Sequence, residues 1–206
     1  MNRIFLLIGI ATAITFSSCT KDDADSNSTP TNTPTNTPTN NTSQELFFSF
    51  QTPDWQRTIA CDQMDFNPSN EITPGLAYTL ATSASTNATF GFPFPTDSSA
   101  MALTSNINTY RISDYNSWGT TDGSAFEISL KLNKNGVDDT QRLYSVGGIS
   151  ENNYNQVTSV TYVGSDATYA NFLVTGNYKM DMVDPLINEY KPVTGSYRIK
   201  FRTRKQ

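Results

Sequence analysis

From Leu46 onward the chain alternates apolar and polar residues with a period of two. Phe48 and Phe50 alternate with Ser49 and Gln51. Ser124 to Asn133 is the cleanest segment, with Phe126, Ile128, Leu130 and Leu132 on one face and Glu127, Ser129, Lys131 and Asn133 on the other. Asn171 to Met182 repeats the pattern, setting Phe172, Val174, Gly176, Tyr178, Met180 and Met182 against Asn171, Thr175, Asn177, Lys179 and Asp181. Ser196 to Thr203 sets Tyr197, Ile199 and Phe201 against Arg198, Lys200 and Arg202. Such alternation marks half-buried antiparallel strands, because successive side chains leave opposite faces of a sheet. The polar sets, Lys131 included, are expected on the wet face.

Shorter candidates occupy 57–60, 77–82, 88–94, 107–114, 141–148 and 157–163. No stretch after residue 45 sustains an apolar repeat of 3.6, and Gly, Asn, Asp and Ser punctuate the chain at short intervals. The expected fold is all-β: a single antiparallel β-sandwich or flattened barrel over 46–206, with about nine or ten strands. Its inward residues are bulky, so they fill an interior rather than line an open calyx. At Asn135-Gly136 a two-residue turn would set Leu132 opposite Asp139, putting polar groups on the buried face. A longer loop is therefore expected, with Gly136 at positive φ and Tyr144 and Val146 facing inward.

Ahead of this domain, residues 19–45 carry the motif Thr-Pro-Thr-Asn repeated over 29–40, without an aliphatic residue. Recurrent proline blocks helix and ladder alike, and nothing there can offset the entropy of ordering. A disordered linker leaning to polyproline II is expected, at about 3 Å per residue. Asp23, Asp25 and Asn27 imitate the start of an EF-hand loop. Ser28 stands in place of its glycine and Pro34 in place of its bidentate glutamate, which excludes a calcium site.

Residues 1–18 read as an export signal. Arg3 supplies the positive start, and Ile4 to Phe16 is an apolar run of 13 residues. As a helix it rises about 20 Å, short of the hydrocarbon core of roughly 30 Å. Small residues then lead to Cys19. Phe16-Ser17-Ser18-Cys19 resembles the lipobox of bacterial lipoproteins, with Phe16 where Leu is usual and Ser18 where Gly or Ala is commoner. Lys21-Asp22-Asp23 resembles the export signal of Bacteroidota surface lipoproteins. The resemblance covers residues 1–23. It implies lipid on Cys19, anchorage to the outer membrane and a domain that faces the cell exterior. In architecture alone, the domain is similar to the β-sandwich lipoproteins of that group.

Charge and composition narrow the chemistry further. The chain has 14 basic and 19 acidic residues and no histidine. Loss of residues 1–18 removes Arg3 alone, so the mature chain carries 13 basic and 19 acidic residues, net −6. An acidic surface gains nothing from counterion release, which argues against nucleic acid as a partner. Cys19 taken by lipid would leave Cys61 without an intramolecular partner, so no disulfide framework is expected and Cys61 reads as a small buried hydrophobe. Without histidine, the commonest general base and metal ligand are missing. No nucleophile elbow and no acidic motif of a sandwich glycanase occurs. The expectation is no catalytic residue, no metal and no cofactor, with Asp138-Asp139 read as a solvated loop.

One constellation remains. Tyr110, Tyr115 and Trp118 stand beside Asp114 and Asn116. Exposed aromatic faces stack on sugar rings while amides and carboxylates bond hydroxyls, so this is a candidate ligand platform, with Trp118 packed onto one end of the domain as the alternative. Arg198, Lys200, Arg202, Arg204 and Lys205 form a basic strand face, expected to pair with acids such as Asp181. The function these readings imply is a non-catalytic binding module, with glycan as a candidate ligand. The alternatives are a structural subunit of an envelope assembly and, behind both, a hydrolase with an unusual carboxylate pair.

Overall fold

The computed structural model describes residues 46–60, 64–68, 74–84, 86–115, 124–136 and 139–205, with backbone alone for 64–68. Cys19, Cys61, Trp118, Asp138 and the linker lie outside the described residues. The elements are β1 (Phe47–Gln51), β2 (Gln56–Ala60), β3 (Met64–Pro68), β4 (Leu76–Ser83), β5 (Thr89–Pro95), α1 (Ser98–Met101), β6 (Thr109–Tyr110), β7 (Ser129–Asn133), β8 (Arg142–Ser145), β9 (Tyr154–Ser165), β10 (Tyr169–Asp184) and β11 (Glu189–Arg204). The fold is all-β, as the alternation implies. Eleven described strands form one antiparallel sheet, nine of them in the order β2-β1-β11-β10-β8-β7-β5-β4-β3, with β6 and β9 off this path.

The long hairpin β10–β11 is its spine, paired without interruption from Tyr169↔Arg204 to Asp184↔Glu189. The other edge of β10 is shared: β9 takes Ala170 to Lys179, and β8 takes Met182 and Val183. β6 in turn adds to β9. The sheet curls until β5 faces β1 and β11 across a core of rings. Phe92 stacks on Phe201 at 5.2 Å and lies edge-on to Tyr197 at 5.5 Å, while Phe48 meets Phe90 at 4.7 Å. The inward sets of β1, β10 and β11 are buried as their periodicity predicts.

Two repeats of Gly-x-Tyr lock the spine. Gly176 pairs with Tyr197, and Tyr178 pairs with Gly195, so each tyrosine ring lies over the glycine of the opposite strand. A Cβ at Gly195 would overlap the Tyr178 hydroxyl and the Ser49 carbonyl; one at Gly176 would overlap the Tyr197 hydroxyl. Both phenols are satisfied despite burial. Tyr178 donates to the Ser49 carbonyl at 2.8 Å, and Tyr197 donates to Asn155 Oδ1 at 3.0 Å. Burial raises both phenol pKa values, keeping them neutral donors. Asn155 also donates to the carbonyl of Phe126, a residue held at φ 65.

The structure corrects three expectations. The β7–β8 loop is long and Gly136 sits at φ 118, as expected, but Leu132 pairs with Leu143. Leu143 and Ser145 therefore face inward, not Tyr144 and Val146. The polar face of 124–133 is not wet: Glu127, Ser129 and Asn133 are buried. Arg111 to Tyr115 crosses there, with Ser113 N bonded to the Ile128 carbonyl at 2.9 Å and Tyr115 N to the Ser145 carbonyl at 3.1 Å. The basic face meets Asp166 rather than Asp181, which lies opposite Pro192; Arg202 bonds Asp166 at 3.1 Å. The periodicity also missed β3, which ends in a proline, and the one-turn α1, whose N-cap Asp97 accepts from Ala100 N at 2.7 Å.

Candidate functional site

The described members of the aromatic constellation pack on different partners. Tyr110 sets its ring 5.3 Å from Phe126 and donates to the Asn106 carbonyl at 3.0 Å. Tyr115 stacks on Tyr144 at 4.8 Å, with Lys131 Nζ 5.7 Å from its ring centroid. Both are half-buried, and burial raises both phenol pKa values. Asp114 accepts from Gly147 N at 2.7 Å, so that oxygen anchors the crossing segment. Asp139 accepts from Asn135 N at 2.8 Å and Gln141 N at 2.9 Å, which makes it the clasp of the β7–β8 loop.

A larger concavity lies where small side chains meet on the outer face of β2, β1 and β11. Alternation sends Phe48 and Phe50 inward and therefore Ser49 and Gln51 outward. Register aligns Thr58, Ser49 and Ser196 in one row, and Gln56, Gln51 and Thr194 in the next. Gly195 contributes no side chain between them. The result is a hollow of about 560 Å³, whose lining also includes Arg57. Ser49 and Ser196 share a bond between hydroxyls at 2.9 Å, and Ser196 N donates to Ser49 Oγ at 3.1 Å. The first row continues through Asn177 on β10 to Gln156 on β9. The outward side chains of these two rows are thus hydroxyls and amides, while Arg57 shares the register and the face of Phe50. Hydroxyls and amides can each donate and accept hydrogen bonds.

The apex of the β10–β11 hairpin has the opposite character. Leu186 is 77% exposed, and Ile187 and Tyr190 are exposed beside it. Leu186 N donates to Asp184 Oδ1 at 2.9 Å, which fixes the turn. That amide, and then Lys134, hold the Asp184 carboxyl below the usual carboxylate range. Lys134 bonds Asp184 at 3.2 Å and Glu189 at 2.9 Å, while Lys191 pairs with Asp54. The charges at the base of the apex are thereby held in ion pairs, leaving an apolar tip. Periodicity could not find it, since a turn has no alternation; the signal available was Leu186-Ile187 set between Asp-Pro and Asn. The hollow was equally hidden, because Ser and Thr read as ordinary outward residues.

Among the described residues, no group of three or more His, Cys, Asp or Glu gathers to hold a metal ion. No family model, curated protein or solved structure matches the chain.

Proposed function

We propose that this chain is a lipid-anchored surface protein of the outer membrane, carrying a non-catalytic β domain that binds a polyhydroxylated ligand of the glycan class. The anchor rests on Phe16-Ser17-Ser18-Cys19 after a short apolar run, and the outward orientation on Lys21-Asp22-Asp23. A fatty-acid analogue fed to cells should label the wild type and not Cys19→Ser. Equal labelling of the two sinks the anchor.

The observation that carries the binding reading is the hollow lined by Ser49, Gln51, Gln56, Arg57, Thr58, Thr194 and Ser196. It offers closely spaced donors and acceptors on a rigid sheet, the complement of a chain of sugar hydroxyls. Thr194→Trp fills it from an exposed position. Its stability should stay within about 0.5 kcal/mol of wild type. Polysaccharide binding, measured by titration calorimetry, should vanish. Binding that survives the tryptophan places the ligand elsewhere.

A second reading, an interaction subunit of an envelope assembly, is favoured by the exposed aliphatic apex at Leu186 and Ile187. Leu186→Asp then abolishes association with the partner and leaves polysaccharide binding untouched.

A further inference from the structure

The sheet ends in strands of very different character. β2 carries Arg57, and β3 carries Asp65 and ends at Pro68. Charges and prolines on an edge discourage pairing with another chain. β6 is two residues long and offers almost no edge. β9 differs from all three. It runs for 12 residues, Tyr154 to Ser165, without a charge or a proline, and β6 reaches only Asn155 and Gln156. Among the described residues, Thr158 to Ser165 pairs on one side only, with β10. Tyr162 is 57% exposed and Val163 is 43% exposed.

We infer that this edge is an interface with a second copy of the same chain, formed by antiparallel pairing of β9 with β9 about a twofold axis at Thr161. The sequence around Thr161 is suited to such pairing. Opposite residues have numbers that sum to 322, so Val160 meets the second copy's Tyr162. Val160 and Tyr162 share the inner face with Val174 and Phe172, their register partners on β10. The apolar layer would continue through the axis as two pairs of aromatic and β-branched residues, which are favourable across strands.

An isologous contact sets each residue near its own copy, so any charge close to the axis meets a like charge. β9 has none. The nearest charge in the row of Thr161 is Lys200, two strands away on β11. At about 4.8 Å per strand it lies roughly 24 Å from its copy, well past the screening length of about 8 Å. A foreign strand would not require this symmetry of neutrality, and for that reason the observations favour a second copy. Register shifts between Thr175 and Gly176 and between Ala170 and Phe172 leave Ser159 to Tyr162 as the regular stretch. Pairing is therefore short and the dimer weak, formed in the micromolar range rather than permanent.

The test uses the chain from residue 19 with Cys19→Ser, so that neither the apolar run of residues 4–16 nor lipid can drive association. Sedimentation over the micromolar range should show a reversible dimer. Thr161→Asp and Thr161→Lys, both at an exposed position, should each weaken it by at least about tenfold while melting like the parent. An equimolar mixture of the two variants should dimerise again, because Asp then faces Lys. A parent that stays monomeric overturns the inference. So does a dimer indifferent to both substitutions, or a mixture that remains monomeric.

Discussion

Gly195→Ala is expected to destabilise the domain by at least about 3 kcal/mol, the upper end for an overpacked core. For a domain of about 160 residues that is roughly a 10 °C fall in melting temperature. One added methyl group has this effect because the space is already taken. Tyr178 lies over Gly195 from the opposite strand and donates to the Ser49 carbonyl, and the new Cβ would overlap both that phenol and that carbonyl. Only one of these can yield by rotating a side chain. The other belongs to the backbone of β1, whose ladder to β11 would have to shift. Gly176→Ala should act in the same sense, since its Cβ would overlap the Tyr197 hydroxyl that bonds Asn155. Ser196→Ala, between Gly195 and Tyr197 on the outer face, is the control. It loses a hydroxyl bond to Ser49 and should cost only about 1 kcal/mol. Denaturant midpoints order the three variants. Gly195→Ala unfolding at the wild-type midpoint would mean that the rings do not lie where the register places them.

The spine was legible in the sequence for the same reason that it is stable. From Phe172 to Met182 and from Tyr197 to Phe201, each alternate residue is apolar and every one is buried. The period alone therefore names the face. The alternation could not show that Gly176 and Gly195 are gaps filled by rings from across the strand pair. That follows from register, a property of two strands, while periodicity belongs to one. Register also decided β8. A four-residue strand of the type Arg-Leu-Tyr-Ser offers two plausible inward sets, and the pairing of Leu132 with Leu143 selects Leu143 and Ser145.

The candidate site was the least legible part. Tyr110, Tyr115 and Trp118 stand out as letters because aromatics carry recognisable chemistry. The two that are described are half-spent on Phe126 and Tyr144. The hollow on β2, β1 and β11 is made by smallness, with Ser49, Thr58, Thr194 and Ser196 brought side by side from three strands. No local pattern announces a depression that exists only after Ser49 pairs with both Thr58 and Ser196. The edge at β9 is an intermediate case. Its lack of charge is visible in the sequence, but its position at the margin is a fact of topology.

Leu130→Asp should abolish cooperative folding, and the residues on either side give the comparison that makes the result informative. Leu130 is fully buried and pairs with Phe90. A carboxylate there must desolvate or take up a proton without a partner, at a cost above about 4 kcal/mol, a large share of a total stability of roughly 5–15 kcal/mol. Alternation alone would give Ser129 and Lys131 equal, mild responses, because both lie on the opposite face. The structure separates them. Ser129 is 4% exposed, with the Tyr78 phenol beside it, so Ser129→Asp buries a charge and should cost about 2–3 kcal/mol. Lys131 is half-buried with its ammonium 5.7 Å from the Tyr115 centroid. Lys131→Asp forfeits that contact, about 0.5–1 kcal/mol. The expected order of denaturant midpoints, from lowest, is Leu130→Asp, Ser129→Asp, Lys131→Asp, wild type. Equal midpoints for the Ser129 and Lys131 variants would show that Ser129 is not buried in solution.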